Sequence, residues 1–325
     1  MKKILVSGAS GLVGSACVNF FNAKGWEVVG IDANMRHKFF GTPDKEPARK
    51  VDIRNFPEVE DLFVDHGPFD AIIHAAAQPS HDYSKDHVLE DFYTNAAGTL
   101  NLLECARHHS PKAVFVQVST DKVYGEGMRR ENIVDEETRY DNSHPFTEST
   151  PFRAPYSPFG VSKLTGDLYA QEYAAQGWLT TGIFRPGCIT GEAHEGAELH
   201  GFLAYLTKCI KEEKIYRIFG YKGKQVRDQI HANDLASAFA AFIENPRSGE
   251  VYNIGGGEER SCSPLEAGAA LSAKLGKPFM YELIDTPRFG DRQWDIHDVS
   301  KFRSHYPEWD YKYSLNDIYD DLCRK

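Results

Sequence analysis

A glycine-rich turn near the N-terminus constrains the fold of this chain most strongly. Gly8, Gly11 and Gly14 follow the apolar run 3–6 and open a helix-like apolar pattern over 16–21. A glycine has no Cβ, so a strand can turn sharply into a helix and the backbone can approach a phosphate. The helix N-terminus behind the turn presents unpaired N–H groups that attract an anion. Taken alone, this pattern is as typical of a plain turn as of a phosphate site.

A second buried strand, 27–31, strengthens the interpretation as a dinucleotide site. It ends at Asp32, roughly 20 residues past the glycines, where a carboxylate accepts hydrogen bonds from an adenosine ribose. The same charge repels a 2′-phosphate, so the cofactor is expected to be NAD rather than NADP, although Arg36 lies near enough to weaken that preference. The neighbouring residues predicted to contact the cofactor are Ser10, Leu12, Val13 and Asn34.

Composition narrows the class of protein. The chain has 325 residues and a formal net charge of -10, which argues against a general nucleic-acid or membrane-surface role. Its apolar runs are too short to span a bilayer, and the first strand starts too early to leave room for a signal peptide. The six cysteines are scattered without a paired metal spacing, so we expect no metal and a reduced, cytoplasmic location.

The first half of the chain alternates strand and helix patterns, which predicts an α/β fold with a parallel sheet covered on both faces. A Rossmann-type, doubly wound domain is expected over 1–187, with 232–254 returning to pack on it. The remainder of 188–325 is expected to form a smaller, C-terminal substrate-binding lobe. Single helices are predicted over 86–109 and 159–175, and the polar stretch 126–155 is predicted to be a long loop.

Further cofactor contacts are expected where later strands end. A short strand that ends at Lys50 and Val51 precedes Asp52 and Ile53, a pair typical either of a site that binds the adenine edge or of a simple turn. The alanines after the strand 69–74 are typical either of contact with a cofactor or of close strand–helix packing. The residues predicted on this basis, and by the resemblance given next, are Asp52, Ile53, Ala75, Ala76, Ala77, Gln78, Asn95, Ser119, Lys163, Pro186, Gly187 and Cys188.

Four ordered motifs carry a resemblance to a known family. They are Gly-x-x-Gly-x-x-Gly at 8–14, Ser-Thr-x-x-Val-Tyr-Gly at 119–125, Gly-Val-Ser-Lys at 160–163 and Val-Arg-Asp-x-x-His-x-x-Asp-Leu at 226–235. Together they resemble the extended short-chain dehydrogenase/reductase family, which contains nucleotide-sugar epimerases, dehydratases and decarboxylases. Shorter stretches at 30–36, 76–82 and 223–228 resemble the CDP-paratose 2-epimerase subgroup.

The resemblance implies a redox epimerisation. Family members hold NAD tightly, pass a hydride from a sugar carbon to it, and return the hydride to the other face of the transient ketone. A tyrosinate usually takes the hydroxyl proton, and a lysine four residues later binds the nicotinamide ribose and lowers the pKa of that tyrosine. Lys163 matches the lysine. Thr120 matches the hydroxyl that binds the reacting sugar oxygen, or it is a strand-end threonine bonded to backbone.

Phe159 departs from the family pattern, because it stands where the tyrosine is expected. Phenylalanine has no ionisable proton, so three explanations stay open: an engineered change, a natural subgroup with another base, or a protein that binds a nucleotide sugar without turning it over. Tyr156 is the first candidate for a replacement base, and His81 is the second.

The residues beside Thr120 bear on the reaction type. The 4,6-dehydratases of this family carry Asp-Glu after the threonine, whereas this chain has Asp121 and Lys122. Asp121 retains a carboxyl group for proton donation, but the carboxylate that would abstract the C5 proton is missing. Dehydration is therefore disfavoured.

For the substrate, the resemblance implies a nucleotide-diphospho-sugar. Arg227 and Arg288 match family positions that pair with a diphosphate, and Arg292 is a further candidate; each is as typical of a surface arginine. A run at 196–203 is placed to cover the sugar or base. The remaining residues expected to reach the substrate, each a weaker prediction, are Gln78, His81, Lys122, Cys188, His194, Glu198 and Leu199.

The sequence thus predicts NAD-dependent epimerisation of a nucleotide sugar, with C2 of a CDP-deoxyhexose as the specific expectation. The alternatives are a reductase or decarboxylase of the same family, or a non-catalytic nucleotide-sugar or NAD-binding protein. The resemblance also implies a homodimer built on helices 86–108 and 158–175. The residues expected at that interface are Phe92, Leu100, Leu103, Leu164 and Tyr169.

Overall fold

The computed structural model describes residues 1–35, 49–126, 132–191 and 201–324. The strands are β1 (Lys3–Ser7), β2 (Glu27–Ile31), β3 (Ala71–His74), β4 (Val114–Val118), β5 (Val134–Asp135), β6 (Tyr140–Asp141), β7 (Thr180–Pro186), β8 (Cys188–Thr190), β9 (Tyr216–Phe219), β10 (Val226–His231), β11 (Glu250–Ile254), β12 (Ser261–Cys262), β13 (Tyr281–Ile284) and β14 (Trp294–Asp295). The helices are α1 (Leu12–Ala23), α2 (Phe56–His66), α3 (His81–Asp86), α4 (Val88–Phe92), α5 (Gly98–His109), α6 (Pro158–Ala175), α7 (Phe202–Lys211), α8 (Ala232–Glu244), α9 (Pro264–Leu275), α10 (Ser300–His305) and α11 (Leu315–Arg324).

Six strands form one parallel sheet in the order β11-β7-β4-β3-β1-β2. Leu5, Ile72 and Phe115 in its middle strands are fully buried because helices cover both faces. Helices α1 and α8 pack on one face, and α2, α5 and α6 pack on the other. The predicted doubly wound, Rossmann-type sheet is confirmed. The chain runs from β1 outward to β2 and then back to β3, so the strand order reverses beside β1, where α/β sheets bind ligands.

The chain leaves the main sheet between β7 and β8 and later returns to it. Residues 232–254 form α8 and β11; β11 pairs with β7 at the sheet edge, and α8 packs against α1. The C-terminal lobe has its own core of side chains from α7, α9 and α11, among them Leu206, Leu271 and Ile318. Its strands form the small sheet β12-β10-β14, with β8 beside β10, and the pair β13-β9.

The single helix predicted over 86–109 is wrong in detail. A π-helical turn, Tyr93–Ala97, separates α4 from α5, and α3 precedes them as a separate short helix. The Thr99 hydroxyl on α5 donates to the Asn95 carbonyl in this turn at 2.6 Å, and the Asn95 side chain is buried among other polar groups. Side-chain hydrogen bonds of this kind compete with the regular helical pattern, and apolar periodicity does not report them.

Two segments predicted from local pattern differ modestly from the structure. In its described part, the strand expected to end at Lys50 and Val51 forms a bridge from Lys50 to Asp32. The polar loop 126–155 holds the short antiparallel pair β5-β6 in its described part. The bridge depends on a partner in another segment, and β5 and β6, at two residues each, are too short to show an alternating pattern.

An apolar stripe lies exposed on α4 and α6, which pack side by side. Phe92 is 47% exposed and Tyr169 is 41% exposed, whereas Leu103 is fully buried in the core and is therefore not an interface residue. Leu100 and Leu164 are partly buried against core clusters. The stripe also contains Leu89, Tyr93, Val161 and Leu168.

We predict that this stripe forms a two-fold interface between copies of the chain. Phe92→Asp should convert a dimer into a monomer, because it places a charge in an apolar contact. Light scattering measures the mass. Val64→Asp, at an exposed apolar residue on α2, is the matched control and should stay dimeric. A parent protein that is monomeric at micromolar concentration would contradict the prediction.

Candidate active site

A cavity of about 470 Å³ opens at the carboxyl ends of the main-sheet strands and extends to the lobe. Most residues predicted to bind cofactor or substrate, or to act in catalysis, line it. These are Gly8, Gly11, Leu12, Val13, Gly14, Asp32, Asp52, Ile53, Ala75, Ala76, Ala77, His81, Ser119, Thr120, Asp121, Lys122, Phe159, Lys163, Pro186, Gly187, Cys188, Arg227 and Arg288. Arg36, His194, Glu198 and Leu199 lie outside the described residues.

The glycine turn fits a dinucleotide phosphate. Gly8 has a φ of +72°, and a Cβ added there would lie 2.7 Å from the Ala76 nitrogen. A Cβ on Gly14 would lie 2.0 Å from the Gly8 oxygen, so neither position accepts a side chain. Gly11 caps α1 without a side-chain hydrogen bond, which leaves the first N–H groups of the helix directed at the cavity.

Asp32 is held in place by backbone groups. Its carboxylate accepts hydrogen bonds from the Ser10 N–H at 3.0 Å and the Asn34 N–H at 2.8 Å. Ser10 and Asn34 do not themselves line the cavity, so the prediction that they contact the cofactor is not supported. Their N–H groups fix the Asp32 oxygens and leave further lone pairs for a ligand.

The neighbouring wall contains an ion pair that the sequence did not reveal. Arg54 lines the cavity and binds the Asp52 carboxylate at 2.5 Å. Burial alone would raise the pKa of Asp52, but the hydrogen bonds and charge of Arg54 outweigh it and lower that pKa. Asp52 is therefore a charged residue of the cavity wall that Arg54 holds in place. Arg54 directly follows Asp52 and Ile53 in the sequence, and this short spacing is the signal that could have indicated the ion pair.

Gln78 and Asn95 are fully buried and do not line the cavity, so the structure does not support their predicted contacts with cofactor and substrate. The Gln78 N–H donates to the Asn95 side chain at 2.8 Å, and the Gln78 amide donates to Asp91 at 2.7 Å. Asn95 also donates to Ser162 on α6 at 3.1 Å. Through these hydrogen bonds both residues hold the cavity wall at 75–79 in position. In the sequence, such polar residues are equally typical of side chains that bind a ligand directly.

Helix α6 brings the lysine of the Gly-Val-Ser-Lys motif against the end of β4. The Lys163 ammonium donates to the Val118 carbonyl at 2.6 Å. Burial lowers the pKa of Lys163 to about 8, although the charges of Asp167 and Asp91 oppose the shift. The Thr120 hydroxyl donates to the Asp121 carboxylate at 3.1 Å and remains able to accept a hydrogen bond in the cavity.

Phe159 and Tyr156 have different positions. Phe159 lines the cavity, and its ring centroid lies 4.8 Å from that of His81. Tyr156 does not line the cavity. Its ring packs against Gly125 so closely that a Cβ on that glycine would lie 2.6 Å from Tyr156 Cδ1. Tyr156 is therefore not placed to act as the replacement base, although it is only three residues from Phe159.

A buried network of alternating charges backs the cavity. Lys122 binds Asp121 at 2.7 Å and Asp295 at 2.9 Å, while Arg292 binds the same two carboxylates at 2.7 and 3.1 Å. Burial would raise the pKa of Asp121, but the cations hold it far below its usual range. Asp121 is therefore held as a carboxylate, which argues against its predicted role as an acid. Arg292 does not line the cavity and is bound in this network, so the structure does not support its predicted contact with a diphosphate.

Arg227 and Arg288 face the cavity from the lobe side, each beside a carboxylate. Arg227 binds Asp291, and Arg288 binds Asp82 at 2.9 Å. The rest of this wall lies on β9, where the run Tyr-Arg-Ile-Phe over Tyr216–Phe219 lines the cavity without having been predicted to do so. A short strand with one basic residue among apolar ones, ended by Gly220, was a usable signal. The other missed lining residues include Met35, Thr94, Ile189, Gln225, Gln229 and Asp291.

Cys188 closes the cavity where β7 leads into β8. Burial raises the pKa of its thiol to about 12, so it is a neutral wall group. Gly187 beside it is required by space, since a Cβ there would lie 2.3 Å from an Asp228 oxygen. Within the described ranges no cluster of three or more His, Cys, Asp or Glu side chains is arranged to hold a metal ion.

We predict that Asp32→Asn weakens NAD binding more than NADP binding. Loss of a charged hydrogen-bond acceptor costs about 1.5–3 kcal/mol, or roughly 10- to 100-fold in affinity, while the removal of charge relieves repulsion of the 2′-phosphate. Calorimetric titration measures both affinities. Asp70→Asn is the control, because Asp70 accepts the Lys3 N–H at the opposite end of the strands. Equal losses for both cofactors would contradict the prediction.

We also predict a pH dependence that arises from Lys163. Its pKa is lowered to about 8, so the ammonium is charged below that pH and loses its charge as the pH rises through it. The NAD affinity of nucleotide-free protein should fall over the same range, because the charge and a donor are lost. Lys163→Arg stays protonated and should remove the fall. An affinity that is constant in the parent protein would count against this role.

The described helices include none with the length and apolar character that a membrane crossing requires.

Comparison with known proteins identifies the family. Residues 4–255 match the NAD dependent epimerase/dehydratase family. CDP-paratose 2-epimerase of Salmonella typhi is 29% identical over 97% of this chain and 96% of its own length. dTDP-glucose 4,6-dehydratase 1 of Escherichia coli is 32% identical over 79% and 73%. The crystal structure of Thermus thermophilus UDP-glucose 4-epimerase with NAD superposes with a TM-score of 0.81 at 25% identity, covering 98% of both chains. The dinucleotide cradle and the match over most of the chain lead to one conclusion: this protein belongs to the NAD dependent epimerase/dehydratase family.

Proposed function

We propose that the protein epimerises a ring carbon of a nucleotide-diphospho-sugar with tightly held NAD. One observation carries the proposal: the glycine cradle, the Thr120 and Lys163 pair, and the two arginines of the lobe all line a single cavity. A dinucleotide and a nucleotide sugar therefore have adjoining places at one site.

The chain's own residues divide the work in this proposal. The glycine turn and Asp32 hold the dinucleotide, and Lys163 binds its nicotinamide ribose. NAD, when bound, accepts and returns the hydrogen and electron pair of a carbon–hydrogen bond. Thr120 binds the reacting sugar oxygen and fixes its position. Arg227 and Arg288 exchange their carboxylate partners for the diphosphate, because guanidinium groups bind phosphate oxygens in a bidentate manner.

The charge network favours epimerisation over dehydration. Elimination of water from a sugar needs a base near C5, and a Glu in the position of Lys122 supplies it in the dehydratases that this sequence resembles. Here Lys122 is an ammonium between Asp121 and Asp295 and has no lone pair to offer. The carboxylates of Asp121 and Asp295 are ion-paired with Lys122 and Arg292, so they are weak bases.

The finer proposal is that the reacting carbon is C2 of a CDP-deoxyhexose. It is supported by the similarity to CDP-paratose 2-epimerase, which extends over nearly the whole of both chains. The competing possibilities are a reductase or decarboxylase, and a binding protein without turnover. Phe159 is the feature that favours the last of these.

We predict that the purified protein retains NAD and epimerises a nucleotide sugar without net formation of reduced cofactor. An epimerase regenerates its cofactor within each turnover, so it has no need to release it. Acid-released nucleotide is assayed by chromatography. CDP-paratose, UDP-glucose and dTDP-glucose are then assayed by NMR in deuterated water, and the epimerised carbon should carry no deuterium.

Other outcomes of these assays would replace the proposal. Accumulation of free reduced cofactor would indicate a reductase, and loss of carbon dioxide would indicate a decarboxylase. A dehydrated 4-keto sugar would indicate a dehydratase. Saturable binding of nucleotide sugar without turnover would indicate a binding protein, and absence of both NAD and NAD affinity would contradict the cofactor assignment.

A further inference from the structure

His81 is a polar side chain that packs against Phe159 on the cavity wall. Its ring lies 4.8 Å from the Phe159 ring, and its Nδ1 lies 3.0 Å from the Ser157 hydroxyl. The backbone of Gly290 approaches so closely that a Cβ there would lie 3.0 Å from the same Nδ1. One edge of the imidazole is therefore fixed by the protein.

The other edge of the ring is unsatisfied. His81 Nε2 is buried and has no hydrogen-bond partner within the described part of the chain. A buried polar atom without a partner costs about 1–3 kcal/mol, so such atoms usually mark a place for a ligand or a water molecule. His81 belongs to the cavity lining, which makes a bound hydroxyl group the natural partner for Nε2.

The other titratable groups near Thr120 are committed elsewhere. Asp121 and Lys122 are held in the charge network, and the Cys188 thiol stays protonated because burial raises its pKa to about 12. Lys163 already donates to the Val118 carbonyl. Among the described residues that line the cavity, His81 is the histidine, and its Nε2 lone pair has no partner to which it is committed.

We propose that His81, through Nε2, exchanges the proton of the reacting sugar hydroxyl in place of the missing tyrosine. The inference rests on the proposed function. In the first half-reaction the O–H bond breaks, its proton bonds to the Nε2 lone pair, and the carbon–oxygen double bond forms as the carbon–hydrogen bond is given up to the cofactor. The second half-reaction reverses each change, so the proton returns to the same oxygen and the balance closes.

The Ser157 hydroxyl is suited to assist. It caps α6 by accepting the Gly160 N–H at 3.1 Å, and it shares a hydrogen bond with His81 Nδ1. When Nε2 takes a proton, Nδ1–H donates to Ser157, which fixes the ring in one orientation. Ser157 thus links the position of His81 to the helix that carries Phe159 and Lys163.

The surroundings of His81 keep its ring neutral, so that Nε2 carries a lone pair before the reaction begins. Burial, together with Lys122, Arg292 and Arg288, lowers its pKa to about 3, and Asp121 only partly opposes them. The ring is therefore neutral at all pH values well above 3, and the imidazolium formed during turnover is a strong acid that returns its proton readily. Turnover limited by His81 should be flat from weakly acidic to neutral pH. A base at Lys163 would instead give turnover that rises through about pH 8.

The test compares His81→Gln with the parent protein and with His87→Gln, an exposed histidine stacked on Tyr83 outside the cavity. Glutamine places an amide near the position of Nε2, which can form a hydrogen bond to the sugar hydroxyl but cannot take its proton. We expect His81→Gln to lower kcat by about 10²–10⁴-fold, with little change in KM, retained NAD and an unchanged melting temperature. His87→Gln should behave as the parent.

A second variant separates catalysis from structure. Phe159→Tyr in the His81→Gln background should restore much of the lost turnover, because the phenol supplies the proton exchange that glutamine lacks. Turnover of His81→Gln equal to the parent overturns the inference, as does a loss that Phe159→Tyr fails to relieve or a parent rate that rises through about pH 8. Failure of the parent to epimerise any nucleotide sugar is a different result, since it overturns the proposed function itself.

Discussion

The buried ion pair between Asp167 and Arg185 is the interaction on which the site depends. Arg185 on β7 donates to both oxygens of Asp167 on α6 at 2.9 and 2.8 Å, and both side chains are almost completely buried. Ser119 at the end of β4 donates to the same carboxylate at 2.6 Å, and Arg185 continues to the Tyr124 hydroxyl at 3.1 Å. Removal of one partner of such a pair typically costs about 3–5 kcal/mol, because the other charge stays buried.

This pair fixes the relative position of groups that come from distant parts of the chain. Helix α6 carries Lys163, and the segment after β4 carries Thr120. The Asp167 carboxylate joins the two, so the ammonium and the hydroxyl are held by one polar centre beneath the cavity. The helix and the strand end that carry these groups are thus fixed relative to each other, which is what a site needs when small displacements lower the rate strongly.

The fold was predictable because its signals are local. Glycines at fixed spacing, a carboxylate at the end of β2 and continuous apolar strands each report their own backbone environment. The site predictions that the structure does not support concern residues whose surroundings depend on a remote partner. In the sequence Arg292 is typical of a phosphate ligand, but in the structure it binds Asp121, which lies 171 residues away along the chain. Gln78 and Asn95 satisfy each other, and sequence does not distinguish such a buried amide pair from two exposed ligands. The β9 wall was missed because its side chains face the cavity only once the lobe has folded.

The segment from Arg288 to Arg292 contacts both halves of the cavity. Arg288 reaches Asp82 beside His81, Asp291 meets Arg227, and Gly290 lies against the His81 ring. Arg288, proposed to bind the diphosphate, therefore shares one stretch of backbone with Gly290, which packs on the proposed proton acceptor. A diphosphate bound to Arg288 would thus help to fix the backbone against which His81 packs. Binding energy from the non-reacting end of the substrate would in this way be spent on aligning the reacting end, so a sugar phosphate without its nucleoside would be a slow substrate as well as a weak one.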